Sequence, residues 1–220
     1  MNLKIKEYNS FSFIFKRENT MKHILKGLAL CAGMAAGAAW AQSRPAEPGL
    51  NYNELSVGYT SVHFKDSDIS IDAKGPKLRA QLLVHPSWFV SLDTMASKGK
   101  IQGTKFTYNQ TEGLLGWRYA LGEQTDLNLT GGLISASAGL SGSKENNDGN
   151  VFGIGLRSML SREVEVSLGV SSLKGKNDTQ RVSETSVGLG YHWSPDWVVR
   201  LGYASGDGVK TTTLSLGYKF

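Results

Sequence analysis

The sequence predicts an all-β fold, an antiparallel up-and-down β-barrel of ten strands. Apolar and polar residues alternate from Asn51 onward, short and long connections alternate between the apolar runs, and the alternation continues to Phe220. A period of two indicates strands, because successive side chains of a strand point to opposite faces. The 26 Gly and only 5 Pro also disfavour a helical bundle.

Each segment follows the strand period in turn. Leu55, Val57 and Tyr59 alternate with Ser56 and Gly58, and the same pattern covers residues 77–85. Segments that begin at residues 86, 125, 162 and 195 each leave a short turn and alternate in the same phase, 33 to 39 residues apart. This weak repeat has the length of a hairpin. Further alternating runs are 152–160, 187–193 and 214–220.

The connections predict the strand number. Short turns are expected at 85–88, 121–124, 161–163 and 194–197. Longer polar loops are expected near 65–75, 98–105, 140–149 and 174–181, with a tight link at Gly206-Asp207-Gly208. Four connections on one side and five on the other require ten strands. Eight strands is the alternative, if the last hairpin and one other pair are misjudged.

Most of the net charge lies before the predicted barrel. Residues 1–41 hold six Lys or Arg and two acids, so the formal charge of +5 falls to 18 basic minus 17 acidic residues, or +1, for residues 42–220. That remainder lacks the basic surface that nucleic-acid binding needs. Residues 1–20 are interpreted as an upstream extension and 42–50 as a short periplasmic lead. Residues 21–41, which end in Ala39-Trp40-Ala41, have the pattern of a signal peptide.

The two phases of the alternation predict a transmembrane barrel for residues 51–220. A soluble barrel buries its apolar phase, whereas a membrane barrel turns that phase to lipid. Here the polar phase is rich in Gly, Ser and Thr, which suits a narrow lumen. Aromatic residues beside the short turns indicate an interfacial girdle, the alternative being the end of a soluble sandwich. These aromatic residues are Trp88, Phe89, Trp117, Tyr119, Tyr191, Trp193 and Trp197.

The carboxyl terminus carries the most specific pattern. Leu214, Leu216, Tyr218 and Phe220 alternate to the end and resemble the assembly signal of outer-membrane β-barrels. Together with the export signal, this makes the chain similar to small bacterial outer-membrane β-barrel proteins of the OmpA/OmpX/Opa-like superfamily. It also resembles their ten-stranded, short-looped diffusible-signal-factor-associated subgroup. The resemblance implies a monomer in the outer membrane of a Gram-negative cell. Its partners would be lipid, lipopolysaccharide, periplasmic chaperones and the barrel-assembly machinery.

The polar phase would bring opposite charges together in the lumen. We expect Arg79 to pair with Asp93, Arg118 with Asp126, and Arg157 with Glu163 or Glu165, since a buried unpaired charge is strongly unfavourable. The other inward charges would be Glu54, Lys77, Glu112, Glu184, Arg200 and Lys219. The lumen is then either filled by ion pairs or a path for small solutes. About ten strands enclose little space, which favours filling.

Few residues suggest catalysis. His192-Trp193-Ser194 resembles the His/Ser pair of outer-membrane lipid A deacylases, but no acid is evident to orient His192. His63, with Asp66 and Asp68, is interpreted as a solvated rim residue. The aspartates near residue 70 suit Ca²⁺ but are interpreted as a polar loop. We therefore predict no catalytic residue, metal or cofactor.

The sequence thus predicts a non-enzymatic outer-membrane barrel with a structural or surface-interaction role. A narrow porin for small solutes is the alternative, and a lipid-modifying enzyme is a weaker one. Fold by itself does not decide between these functions.

Overall fold

The computed structural model describes residues 50–66, 69–101, 103–140, 143–176 and 181–220, without the side chains of residues 66 and 69. The extension, the signal peptide and nearly all of the periplasmic lead predicted for residues 1–50 lie outside this part of the chain. The described residues contain no helix with the length and hydropathy of a membrane span. They form ten strands: β1 (Glu54–Asp66), β2 (Ile69–His85), β3 (Trp88–Ile101), β4 (Thr104–Ala120), β5 (Thr125–Leu140), β6 (Ser143–Met159), β7 (Val164–Gly175), β8 (Val182–His192), β9 (Trp197–Gly206) and β10 (Val209–Lys219).

The strands form a closed antiparallel barrel. Each strand pairs with its neighbours in sequence, and β10 closes the barrel on β1, from Glu54 opposite Lys219 to Phe64 opposite Val209. The predicted ten-stranded meander is therefore confirmed. The link between β9 and β10 is a tight two-residue turn, in which Asp207 and Gly208 have φ values of 39° and 79°. Asp-Gly suits this left-handed conformation, which few other residue pairs adopt without strain.

Three of the four segments predicted as long loops are mostly paired strand. Ile101 pairs with Thr104 and Leu140 with Ser143, so these hairpins stay in register almost to their tips. Strands β2 to β6 have 14 to 17 residues, whereas β7 to β10 have 10 to 12. About 9–11 tilted residues span a bilayer. The prediction of loops at 65–75, 98–105 and 140–149 is wrong, because their polar backbone is satisfied by strand pairing beyond the apolar band.

The barrel has two unlike ends. The terminal rim carries Tyr52, the four short turns and Phe220, and the distal rim carries the other five connections. Outward aromatic rings line the terminal rim, where Trp193 stacks on Trp197 at 6.1 Å between centroids and Trp197 contacts Tyr218 at 5.1 Å. The outward face between the rims exposes the apolar phase, with Val57, Leu133 and Phe152 among its exposed side chains.

Phe89 does not belong to the outward aromatic girdle in which the sequence analysis placed it, so the prediction is wrong for this residue. It points into the barrel, is only 4% exposed, and packs against the ring of Tyr52 at 5.0 Å between centroids. Trp88 precedes it and points outward, since adjacent side chains of a strand lie on opposite faces. Aromatic residues that are adjacent in the sequence are therefore divided between the outer girdle and the lumen.

Candidate functional site

The terminal half of the lumen is organised around the buried carboxylate of Glu165 on β7. Arg157 on β6 binds it with two parallel hydrogen bonds, Nε to Oε1 at 2.7 Å and the terminal nitrogen Nη2 to Oε2 at 2.9 Å. The ring nitrogen Nε2 of His192 and the guanidinium of Arg200 lie 3.1 and 3.2 Å from Oε2, and Lys219 Nζ lies 3.6 Å away. Bidentate contacts of this kind are among the stronger hydrogen bonds in proteins.

Neighbouring ion pairs extend this cluster around the terminal rim. Arg200 also contacts Glu54 at 2.9 Å, which connects β9 to β1 at the barrel closure. Arg118 on β4 contacts the buried Asp126 on β5 at 3.1 Å. Glu163 does not take part, because it lies in the exposed turn before β7. Of the two partners considered for Arg157, the structure brings Glu165 to it.

Tyr52 closes the centre of the terminal rim. The segment before β1 folds into the barrel mouth, and its Tyr52 side chain is 1% exposed. The guanidinium groups of Arg118 and Arg157 each lie over the ring at 4.8 Å from its centroid, and the hydroxyl donates a hydrogen bond of 2.8 Å to Asn128. Burial raises the pKa of Tyr52 to about 12. The phenol therefore remains neutral at physiological pH.

Apolar contacts hold this segment in place. Leu50, Tyr52 and Phe89 form a buried cluster against Leu83 and Met159. Asn53 fixes the backbone, since its side-chain carbonyl accepts a 2.8 Å hydrogen bond from the Leu83 amide. We call residues 50–53 with the ion pairs around them the terminal plug.

Charged side chains line the middle of the lumen. Lys77 contacts Asp93 at 3.2 Å, while Arg79 donates a 2.8 Å hydrogen bond to Gln81. Arg79 lies opposite Asp93 in the strand register, but the ion pair observed at Asp93 is with Lys77. Glu112 and Glu184 face the same space, a cavity of about 450 Å³. The lumen is thus filled at its terminal end and hollow above it.

The distal half of the lumen is apolar on the side formed by β1 to β5, where the sequence led us to expect polar inward residues. Ile71, Ala73, Phe106 and Ala138 form a buried cluster with Phe64, Ile101 and Tyr108 packed against it. The ring of Phe64 contacts those of Phe106 and Tyr108 edge-on at 5.7 and 5.2 Å. Beside this cluster lies a second cavity of about 220 Å³, which Glu112 and Glu184 border together with the first.

The residues considered for catalysis lie in two different places. His192 faces inward and contacts Glu165, so the statement that no acid is placed near it is wrong. Ser194 lies in the following turn, where its hydroxyl accepts a 3.2 Å hydrogen bond from the Trp197 amide. His63 is on the outer face and contacts Asp72 at 2.8 Å. In the described part of the chain, no three His, Cys, Asp or Glu side chains are grouped as a metal site.

Sequence reasoning missed Tyr52 and the distal cluster. Tyr52 lies two residues before β1, where alternation gives no information about the path of the chain. Phe64, Ile71 and Phe106 occur in segments that were interpreted as polar loops or that received no assignment. The inward position of Phe106 follows from the phase of Glu112 on the same strand, six residues away, and this was the available signal.

No curated protein is significantly similar to the chain in sequence. Among solved structures, OprG from Pseudomonas aeruginosa has a TM-score of 0.44 at 10% identity, covering 80% of this chain and 99% of that one. Neisserial surface protein A has a TM-score of 0.43 at 15% identity, covering 76% and 96%. A KdgM porin has a TM-score of 0.40 at 13% identity, covering 75% and 99%.

The family model gives the decisive match. Residues 27–220 match the model described as the outer membrane protein beta-barrel domain. The protein is therefore located in the outer membrane, and its apolar outer face contacts lipid. The chain belongs to the outer membrane protein beta-barrel domain family.

Proposed function

We propose that this chain is a non-enzymatic, non-conducting outer-membrane barrel with a structural or surface-interaction role. The observation that carries this proposal is the terminal plug. Tyr52 is held between Arg118 and Arg157, and Glu165 draws together charges from β6, β8, β9 and β10. A solute that entered the central cavity would have to displace buried ion pairs in order to leave through the terminal rim.

The proposed orientation places the terminal rim in the periplasm and the distal rim at the cell surface. Barrels of the outer membrane have short periplasmic turns and longer extracellular connections. The longer hairpins of β2 to β6 then project from the cell, where they are available for contact with other molecules. Leu214, Leu216 and Tyr218 lie on the outward face of β10, and Phe220 follows at its end. This pattern suits recognition by periplasmic chaperones and the assembly machinery.

The absence of enzymatic activity is part of this proposal. His192 and Glu165 resemble an acid–base pair, but Arg157 and Arg200 also bind this carboxylate. The hydroxyl of Ser194 is engaged in a turn. Such an arrangement supports a structural role for His192. In our proposal, neither the wild type nor His192→Ala hydrolyses lipid, and the substitution lowers stability only.

Planar bilayer recording tests the proposal. The refolded chain should insert without steady ion conductance, whereas Tyr52→Ala should give measurable leak because it removes the centre of the terminal plug. Tyr59→Ala is the matched control, since that tyrosine is exposed on the outer face. Steady conductance of the wild-type barrel would contradict the proposal.

A narrow porin is the second candidate, favoured by the two adjoining cavities of about 450 and 220 Å³. A porin would give a different result in planar bilayers. The wild type would conduct ions, and Arg79→Gln or Glu112→Gln would change its ion selectivity. An insulating wild type, with unchanged records for both variants, would exclude this candidate.

A further inference from the structure

We propose that the hollow part of the lumen binds a small organic ammonium ion with an apolar body. The site consists of the inner cavity of about 450 Å³ and the outer cavity of about 220 Å³, and we call the two together the lumen pocket. This inference deepens the proposed function, since it names the class of molecule that the barrel would contact. It rests on that function in one respect, because the terminal plug has to close the inner end of the pocket.

The two cavities are parts of one space that reaches the distal rim. Both are lined by Glu112, Val151 and Glu184, so they meet at this level of the barrel. The outer cavity also borders Gly175 and Gly206, the last residues of β7 and β9. Small-molecule sites usually have volumes of roughly 300–1,000 Å³, and the combined volume of the lumen pocket lies in this range.

Two carboxylates without a counter-charge lie where the cavities meet. Glu112 on β4 and Glu184 on β8 come from strands four places apart in the closed barrel, and therefore from nearly opposite walls. In the described part of the chain, neither makes a side-chain hydrogen bond or an ion pair within 4 Å. Both are half-buried, and an unpaired carboxylate is unfavourable in a poorly hydrated space. An ammonium group between them would supply the missing counter-charge and donate hydrogen bonds to both.

The basic side chains of the inner cavity have other partners. Lys77 contacts Asp93 at 3.2 Å, and Arg79 donates its hydrogen bond of 2.8 Å to Gln81. The arginines at the terminal end of the cavity converge on Glu165. The lumen pocket is therefore left with two acidic side chains that a ligand can reach, which favours a cation over an anion.

The outer cavity adds apolar walls to this charged ring. Phe64, Val151 and Leu173 line it, and Tyr108 contributes its ring while its hydroxyl donates a 2.7 Å hydrogen bond to Gln110. An apolar body in this cavity would be removed from water, which is favourable in proportion to the area buried. A metal ion such as Ca²⁺ takes about six to eight oxygen ligands and would gain nothing from these walls. An ammonium ion with an apolar body uses the carboxylates and the walls at once.

Calorimetric titration of the refolded full barrel in a neutral detergent tests the inference. The probe is 4-phenylbutylamine, compared with the uncharged 4-phenylbutanol and the anionic 4-phenylbutyrate, which keep the same apolar body. The amine should bind about 10-fold more tightly than the alcohol, because only the amine forms charge-assisted hydrogen bonds with the carboxylates. The anion should bind more weakly than both.

Substitution of the carboxylates gives the second comparison. Glu112→Gln/Glu184→Gln keeps the shape of both side chains and should weaken binding of the amine about 30-fold, with little change for the alcohol. The matched control Glu123→Gln/Glu163→Gln removes the same charge from exposed turns of the terminal rim and should bind like the wild type. Each single variant of the pocket should give about a 5-fold loss, so the comparison does not depend on refolding of the double variant.

A substitution that fills the outer cavity tests the apolar part of the site. Ala136 lines this cavity, and Ala136→Phe would occupy the space of the ligand's ring while both carboxylates stay in place. Binding of the amine should fall about 10-fold. The matched control Ala96→Phe adds the same ring at an exposed position of β3 and should bind like the wild type. Faster migration of the unboiled barrel on gels confirms that both variants have folded.

Three outcomes would overturn the inference. Equal affinity for the amine and the alcohol would show that no charge is recognised, and equal weakening by the control pair would show that Glu112 and Glu184 are not the site. Unchanged binding to Ala136→Phe would place the apolar body elsewhere. Failure of the proposed function is separately visible, because steady conductance of the wild type would contradict the terminal plug even if the amine binds. An insulating barrel that does not bind the amine would contradict only this inference.

Discussion

The two halves of the lumen are packed with different kinds of side chain. In the terminal half, Glu165 and its cationic partners fill the space around Tyr52. In the distal half, Phe64, Ile71 and Phe106 pack against one another beside a cavity. The charged half tolerates few substitutions, because removal of one charged partner leaves the others without a counter-charge in a poorly hydrated space. A void in the apolar half loses dispersion contacts, which are individually weak, but it does not leave the partner of a buried ion pair without its counter-charge.

This difference matches the positions of the halves in the membrane. Removing one partner of an ion pair is most unfavourable where water is scarce. Arg200 on β9 contacts Glu54 on β1, and Lys219 on β10 approaches Glu165 on β7, so the charged half stabilises the closure of the barrel. The apolar half lies on strands that extend beyond the bilayer. Water surrounds the barrel there, so the hydrophobic effect favours the burial of apolar side chains inside it.

The largest expected effect is at the centre of the charged half. Glu165→Ala should lower the free energy of unfolding by about 3–5 kcal/mol, because it leaves Arg157 buried without its carboxylate. Guanidinium titration in lipid vesicles, followed by tryptophan fluorescence, measures the change. Glu163→Ala is the control and should change stability by less than about 0.5 kcal/mol, since that residue is exposed in a turn. Equal effects of both variants would contradict the ion-pair account.

The next effect tests the apolar half. Phe106→Ala should destabilise the barrel by about 3 kcal/mol, because it removes a buried ring and enlarges the cavity beside it. Thr107→Ala, one residue further along on the outer face, should cost less than about 0.5 kcal/mol. If the same titration found Phe106→Ala neutral, the distal cluster would not contribute to stability.

The smallest expected effect is at Tyr52 and depends on pH. Tyr52→Phe should cost about 1 kcal/mol at pH 7, through loss of the hydrogen bond to Asn128. The pKa of Tyr52 is raised from 10.0 to about 12 in the barrel, so its stabilising contribution is complete below pH 10 and is lost as the pH rises toward 12.

The pH dependence makes this prediction specific. At pH 11 the wild type should have lost about 1.4 kcal/mol through this group, whereas the phenylalanine variant should have lost none of it. The two unfolding curves should therefore converge near pH 11. A constant difference from pH 7 to pH 11 would show that the phenol is not buried as described.

Much of the fold could be predicted from the sequence. Alternation from Leu55 to Tyr59 and from Leu214 to Phe220 indicates strands and also shows which residues share a face. The Asp207-Gly208 turn was recognisable because few other residues tolerate its backbone. The loops were mispredicted because polar residues at the rim satisfy a strand as well as a loop, and composition does not distinguish the two.

The lumen could be predicted only in part. Arg118 and Asp126 were expected as neighbours, since they flank one short turn, and the structure brings them together. Arg79 was expected to pair with Asp93, yet Lys77, two residues earlier on the same face, is its observed partner. Long side chains reach diagonal neighbours as readily as direct ones. The choice between them depends on the surrounding space. The diffusible-signal-factor-associated subgroup remains a prediction.

The sequence by itself determined the periodicity, the strand number and the apolar outer face, because these depend on residues close together in the chain. Only the tertiary structure decided that Tyr52 closes the barrel and that Glu165 joins charges from four other strands. It also decided that one side of the distal lumen is apolar. These features depend on contacts between residues far apart in the sequence; Tyr52 and Asn128, for example, are 76 positions apart. Such contacts exist only after the barrel has closed and fixed which inward side chains share the same space.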